Sequence, residues 1–340
     1  MVLKMVLAAA ATVAVLAAGG LAHAGATLDA IKARGSFKCG VGTGTPGFHY
    51  PGSDGVWRGF NVNICRAIAV ALFNDPNKVE FVPFTAQQRF PALQTGEVDI
   101  LSNNTTWTLS RDSQLGFNFG PTVFYDGQGF LVNKKLNVTS AKQLGGATVC
   151  VQPGTTTELN LTDYFRQNNL QFTSVVIEQV AELRSAFFGG RCDVYTNDSS
   201  ALAADRSAAT NPDDYVILPE RISKEPLGPL VRHGDDQWFD VMKWVVYAMI
   251  EAEEFGITKA NVDSFASTNV PQIKRLLGIE PGMGKALGLD DKFAYNVIKA
   301  IGNYGENFEA NLGKGSAIKL DRGMNELWTR GGMQYAVPFR

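Results

Sequence analysis

Short apolar runs alternate with helical stripes along the first two-thirds of this chain. Residues 37–41 read as a strand, 42–51 as a turn-rich loop, 64–73 as an apolar-periodic helix and 79–83 as a second strand. Residues 90–93 give a short helix stopped by Thr95-Gly96, and 98–101 a third strand. The rhythm restarts at 147–151 (strand), 158–168 (helix), 172–177 (strand), 180–188 (helix) and 192–195 (strand). Strands separated by helices predict βαβ units on a mainly parallel sheet. A sub-pattern repeats: ALQTGEVDIL in the first half and AFFGGRCDVY in the second both read helix, glycine turn, acidic residue, strand. Two similar α/β halves facing each other across a cleft are the expected architecture. Ligands of open α/β sheets lie beyond the carboxyl ends of the strands. The loops after Val41, Leu101, Val151 and Tyr195 are therefore where chemistry is expected.

The N-terminus breaks this rhythm. Lys4, an apolar run over 5–16 and the closing Ala22-His23-Ala24 have the form of a secretory signal peptide cleaved near Ala24. The run is too short and too rich in alanine to span a bilayer core of about 30 Å. The next candidate, 238–250, carries Asp240 and Lys243 beside a stripe of Val241, Val245, Ala248, Met249 and Ala252, and predicts a soluble helix packed on a core. Export to the periplasm changes the meaning of the four cysteines, which allow three pairings. Cys39–Cys65 and Cys150–Cys192 are expected, each bridge closing within one half. A zinc site is the rival, but outside the leader only His49 and His233 remain as histidines, and no metal site is expected.

Composition narrows the class. The 340 residues are 45% hydrophobic and 19% charged, which excludes disordered, collagen-like and coiled-coil chains and suggests about two domains. Lys+Arg 31 against Asp+Glu 33 gives a net charge of −2 with no basic block, which argues against a nucleic-acid binder or a polybasic membrane-surface protein. Gly42 to Gly47 match G-x-G-x-x-G, but Pro46 and the following Phe48-His49-Tyr50-Pro51 supply no helix, so no dinucleotide and no other cofactor is expected.

The four loops suit one kind of ligand. Ser102-Asn103-Asn104-Thr105-Thr106 and then Arg111 follow the third strand; Gly154-Thr155-Thr156-Thr157-Glu158 and Asn197-Asp198 follow strands of the second half. An arginine can grip a carboxylate with two parallel charge-assisted bonds, and an aspartate can accept from an ammonium group. Thr156 and Thr157 sit where a helix begins, adding hydroxyl and N–H groups. A zwitterion held between Arg111 and Asp198 fits this set; so does a reading of both as surface charges and of the threonines as ordinary caps.

Resemblance decides between the two. The tokens GVGTGTPGF, GFNVNICRAIA, RFPALQTGEVDIL, TTWTLSRDSQLGFNF, GATVCVQPGTTTE and GRCDVYTND, in this order, resemble the family 3 periplasmic solute-binding proteins that serve amino-acid ABC importers. The extra cysteines and the long tail past Gly256 are most similar to the branch of general L-amino acid receptors. The resemblance implies a two-lobed type II periplasmic-binding-protein fold: residues 25–128 begin lobe 1, 129–229 form lobe 2, and 230–340 return to lobe 1 and add a helical C-terminal extension. It implies hinge strands near 127–132 and 226–231, free L-amino acids and inner-membrane permease subunits as partners, a monomer, and no catalytic residue. It implies Arg111 on the ligand α-carboxylate with Thr156 and Thr157, Asp198 on the α-ammonium, Asn104 and Thr106 from the loop before Arg111, and Phe48 as the ring covering the ligand. Arg89 takes a position that in relatives can face the ligand side chain, although a helix-surface arginine is an equal reading. Asn61 and Asn63 stand where the family favours acidic residues, and Asn caps a helix about as well as Asp. Two other classes stay open. A dehydratase-type enzyme on this scaffold would need a spare carboxylate, for which Glu158 is the candidate. A sensing module would have to dock on a separate receptor.

Overall fold

The computed structural model describes residues 25–340; the expected signal peptide lies outside them. In chain order the strands are β1 (Phe37–Gly42), the small hairpin β2 (Tyr50–Pro51) and β3 (Trp57–Arg58), β4 (Val79–Phe84), β5 (Ile100–Leu101), β6 (Phe117–Phe119) and β7 (Phe124–Asp126). They continue with β8 (Gln128–Asn133), β9 (Thr148–Val151), β10 (Thr173–Val176), β11 (Val194–Asp198), β12 (Tyr215–Ile217), β13 (Glu225–Leu227) and β14 (Leu230–Arg232). The first helices are α1 (Ala26–Arg34), α2 (Phe60–Phe73) and α3 (Arg89–Thr95), followed by α4 (Thr156–Gln167), α5 (Val180–Phe188), α6 (Ser199–Ser207) and α7 (Asp236–Glu254).

Two five-stranded sheets carry the two lobes, ordered β4-β1-β5-β14-β6 and β10-β9-β11-β8-β12. Within each, three strands run parallel and the fourth in order runs antiparallel: β14 against β5 and β6, β8 against β11 and β12. The antiparallel strand is in each case the one that has just crossed from the other lobe, which explains why the two halves share one pattern. Between the lobes, β7 and β13 form a two-stranded antiparallel ribbon, Glu225 opposite Asp126 and Leu227 opposite Phe124. The crossing thus differs from the expected 127–132 and 226–231: residues 128–132 already belong to the lobe 2 sheet, and 230–231 to the lobe 1 sheet. Glycine and proline marked the neighbourhood, but ladder hydrogen bonds set the positions. The cysteines pair Cys39–Cys65, joining β1 to α2, and Cys150–Cys192, joining β9 to the turn before β11.

Helix α2 reads FNVNICRAIAVALF and is buried over most of its surface, as a helix apolar on all sides must be. The sheet covers one side. Helix α7 and two helices from the end of the chain, α10 (Phe293–Ile301) and α11 (Tyr304–Asn311), cover the other; the short α8 (Pro271–Leu276) and α9 (Met283–Ala286) lie between. The segment beyond lobe 1 also reaches the inter-lobe ribbon. Asn325 brackets Tyr125 like a backbone partner: its Oδ1 accepts from the Tyr125 N–H at 2.7 Å and its Nδ2 donates to the Tyr125 carbonyl at 3.1 Å. Tyr304 donates its hydroxyl to the Val123 carbonyl at 2.8 Å, and Gln334 donates to the Thr122 carbonyl at 3.2 Å. Among the described residues no helix is long and apolar enough to cross a membrane.

Candidate functional site

A cavity opens between the lobes at the carboxyl ends of β1, β4, β5, β9 and β11. It holds about 600 Å³ of unfilled space, part of it open to solvent, and is more polar than apolar at its surface. The lobes touch around it. Arg184 donates to the Gly44 carbonyl at 2.9 Å and is itself held by the buried Asp205 at 2.9 Å, while Thr85 donates to Glu178 at 2.7 Å.

From lobe 1, Arg89 stands at the first turn of α3 with only 6% of its surface exposed, so the helix-surface reading is excluded. Its Nη1 donates to the Asn103 carbonyl (3.0 Å) and to the Thr105 hydroxyl (3.3 Å), its Nε has no partner among the described residues, and it lines the cavity. Burial, and then the neighbouring Arg111 cation, push its pKa down to about 9. Arg111 sits in a single π-helical turn, Ser110–Gln114, equally buried, with Nη1 donating to the Thr106 carbonyl at 2.9 Å. Both guanidinium carbons lie 4.9 Å from the centre of the Phe90 ring, whose π face offsets part of the cost of placing two cations together. Arg111 itself does not reach the cavity wall in this conformation; Arg89 does.

Asn104 lines the cavity in a left-handed conformation, φ 40°, and its Oδ1 accepts from Asn61 Nδ2 at 2.6 Å. Asn61 is also 3.1 Å from His49 Nδ1. It therefore braces the wall and does not cap α2, whose N-cap is Gly59. Asn63 instead donates to Asn307 of α11 at 2.9 Å, fixing the terminal helices to lobe 1. His49 is buried in the wall, and burial followed by the Arg89 charge lowers its pKa to about 3, so it is neutral. The glycine at 42 is required by this packing, since a Cβ there would lie 2.2 Å from His49 Nε2.

Phe48 is not in the wall. Gly47 turns the chain at φ 75°, Thr45 and His49 bridge, and the Phe48 N–H bonds back to the Thr45 carbonyl at 3.1 Å, so this tight turn sends residues 48 and 49 to different sides. His49 takes the cleft, and Phe48 is fully buried against Phe60 and Phe124 in the lobe 1 core. The aromatic that does line the cavity is Phe84, at the end of β4.

From lobe 2, Asp198 ends β11 and faces the cavity. No protein donor among the described residues reaches its carboxylate, which is buried. Burial, then the nearby Asp126 and Glu225 carboxylates, push its pKa well above the ordinary range, against the pull of Arg89 and Arg111. Asp126, on the ribbon, accepts from the Ser200 hydroxyl and from the Gly127 N–H at 2.8 Å, and burial raises its pKa as well. Thr155 is the N-cap of α4, accepting from the Glu158 N–H at 3.1 Å, so the Thr156 hydroxyl is not used as the cap. Thr156 and Thr157 both line the cleft. Glu158 lies outside the wall and accepts from the Gly154 N–H at 3.0 Å.

Sequence reasoning missed Glu225. It lies on β13, 1% exposed, and accepts from the hydroxyls of Thr106 (2.5 Å), Thr156 (3.0 Å) and Ser223 (2.5 Å) and from Asn160 Nδ2 (2.9 Å). A lone acidic residue before a proline gave no signal of this role.

Two α/β lobes, a two-stranded ribbon and a polar cleft at the strand ends define a two-lobed ligand-binding protein. The family model of the bacterial extracellular solute-binding proteins, family 3, matches residues 37–259. The chain is 56% identical over 336 residues to the general L-amino acid-binding periplasmic protein AapJ of Rhizobium johnstonii, covering 98% of each. It is 54% identical over 328 residues to the glutamate/glutamine/aspartate/asparagine-binding protein BztA of Rhodobacter capsulatus, covering 96% of each. Among solved structures it is similar to an ABC transporter periplasmic binding protein from Brucella ovis with glutathione bound, at a TM-score of 0.91 and 52% identity, covering 92% of this chain and 99% of that one. The chain belongs to the family 3 bacterial extracellular solute-binding proteins.

Proposed function

We propose that this protein is the periplasmic substrate-binding subunit of an ABC importer for polar and general L-amino acids. The observation that carries the reading is Asp198: a buried carboxylate without a protein donor, facing a cleft whose opposite wall presents the Arg89 guanidinium, with the Arg111 cation close by. An α-ammonium group supplies the missing donor and charge. Arg111 takes the α-carboxylate as the ligand draws the lobes together, and the main-chain N–H groups of Thr156 and Thr157 add contacts from the start of α4. Arg89, with its unpartnered Nε in the wall, meets a second carboxylate or an amide, which favours glutamate, aspartate and their amides among the ligands. Ligand bridging stabilises the closed form, which membrane permease subunits then recognise. The names of the relatives agree with binding rather than catalysis, and with a periplasmic location after removal of the leader.

A second reading is favoured by the Brucella ovis structure. Glutathione ends in a γ-linked glutamate that keeps a free α-carboxylate and α-ammonium, so the same Asp198 and arginines suit a γ-glutamyl peptide. The test is isothermal titration of the periplasm-purified protein, unfolded and refolded to strip ligand, against glutamate, glutamine, aspartate, leucine, alanine, arginine and glutathione. Saturable one-to-one binding of several amino acids supports the first reading, and binding of glutathione alone supports the second. No heat with any of them, from folded protein, overturns both.

A further inference from the structure

Glu225 joins three parts of the molecule at one carboxylate. It stands on the ribbon strand β13, to which the loop of lobe 1 is stitched by main-chain bonds from Trp107 N–H to the Pro226 carbonyl (2.9 Å) and from Gly228 N–H to the Thr105 carbonyl (3.1 Å). Its Oε2 accepts the hydroxyl of Thr106 from lobe 1 and that of Thr156 from lobe 2, and its Oε1 accepts Asn160 of α4. The two hydroxyls lie 3.4 Å apart, so this oxygen gathers both lobes only while they are closed. A hydroxyl has one proton. With that proton committed to Glu225, each threonine oxygen turns lone pairs, not a proton, toward the cleft.

We propose that Glu225 is a positioning residue that fixes Thr106 and Thr156 as hydrogen-bond acceptors, so that together with Asp198 they form an acceptor set for the ligand ammonium, and that it couples this recognition to lobe closure. This rests on the amino-acid reading above. An amide cannot do the same: the Gln oxygen is drawn to the Oε1 place, where Asn160 and Ser223 donate, which sets its NH2 against both threonine oxygens and turns their protons toward the ammonium.

The test is a binding cycle on the full exported chain with L-glutamate, using Glu225→Gln, Thr106→Val and the double variant. A competition series with (S)-2-hydroxyglutarate, which carries a hydroxyl in place of the ammonium, runs beside it. Failure of the wild type to bind any amino acid would sink the functional reading, before any variant is compared. With that binding in hand, Glu225→Gln is expected to weaken glutamate about ten- to a hundredfold, and 2-hydroxyglutarate markedly less. The double variant is expected to be no weaker than the worse single one, because Glu225 acts through the hydroxyl. Unchanged glutamate affinity in Glu225→Gln, equal losses for both ligands, or fully additive losses would each overturn the proposal. Should Glu225→Gln fail to fold, Thr106→Ser against Thr106→Val decides. Serine is expected to keep wild-type affinity and valine to lose glutamate selectively; equal behaviour of the two overturns it.

Discussion

At the scale of single residues, the site sets unlike charges around one polar cleft and leaves Asp198 short of a partner. Asp198 is held above the usual carboxylate range by burial and by Asp126 and Glu225, and an incoming ammonium lowers it again. Binding therefore releases a proton wherever pH lies between the bound and free values. Linkage then gives the sign: affinity for glutamate rises as pH rises through that interval. Titrations in buffers of different ionisation enthalpy should show proton release in the wild type and none in Asp198→Asn. Removing the carboxylate altogether, Asp198→Ala, should cost about 2–4 kcal/mol of amino-acid binding, since it strands a buried ammonium. Arg89 carries a different prediction. Arg89→Met should weaken glutamate and aspartate at least tenfold more than leucine or alanine, because it removes a contact to the side chain and keeps Arg111; equal losses across the series would remove Arg89 from specificity.

At the scale of elements, much was legible and the failures share a cause. Alternating apolar runs located both sheets, and Asp198, Thr156 and Thr157, named from loops at strand ends, line the cleft, while Arg111 is buried without reaching its wall. Phe48 was misplaced because a one-residue difference in a tight turn sends a side chain to the other side, and periodicity does not resolve a turn made by Gly47. Asn61 was read as a cap because cap positions are inferred from composition; Gly59 ends up in that place, and Asn61 braces His49 and Asn104. Glu225 was invisible because all its partners but Ser223 lie at least 65 residues away. Each lobe also closes one loop covalently, with separations of 26 and 42 residues. Replacing Cys150 and Cys192 by serine or alanine should lower lobe 2 stability by about 2–4 kcal/mol, seen as a lower denaturant midpoint, and more than the corresponding change at Cys39 and Cys65, whose bridge closes the shorter loop.

At the scale of the whole molecule, the segment after α7 is more than packing. Its Tyr304, Asn325 and Gln334 hold the main chain of residues 122–125, on and just before β7. That ribbon must twist when the lobes part, so these bonds oppose wide opening. Asn325→Ala combined with Gln334→Ala should increase the radius of gyration of the ligand-free protein in solution scattering, and leave the ligand-bound value unchanged. An identical ligand-free radius would show that the segment only covers lobe 1.

The central claim is that a zwitterion bridges the lobes, ammonium on Asp198 and α-carboxylate on Arg111. A crystal structure of the protein with L-glutamate tests it most directly. The account predicts the ligand nitrogen within hydrogen-bond distance of the Asp198 carboxylate and of the Thr106 hydroxyl, the α-carboxylate on Arg111, and the side-chain carboxylate toward Arg89. A ligand seated outside the cleft, or with its ammonium turned away from Asp198, would contradict it.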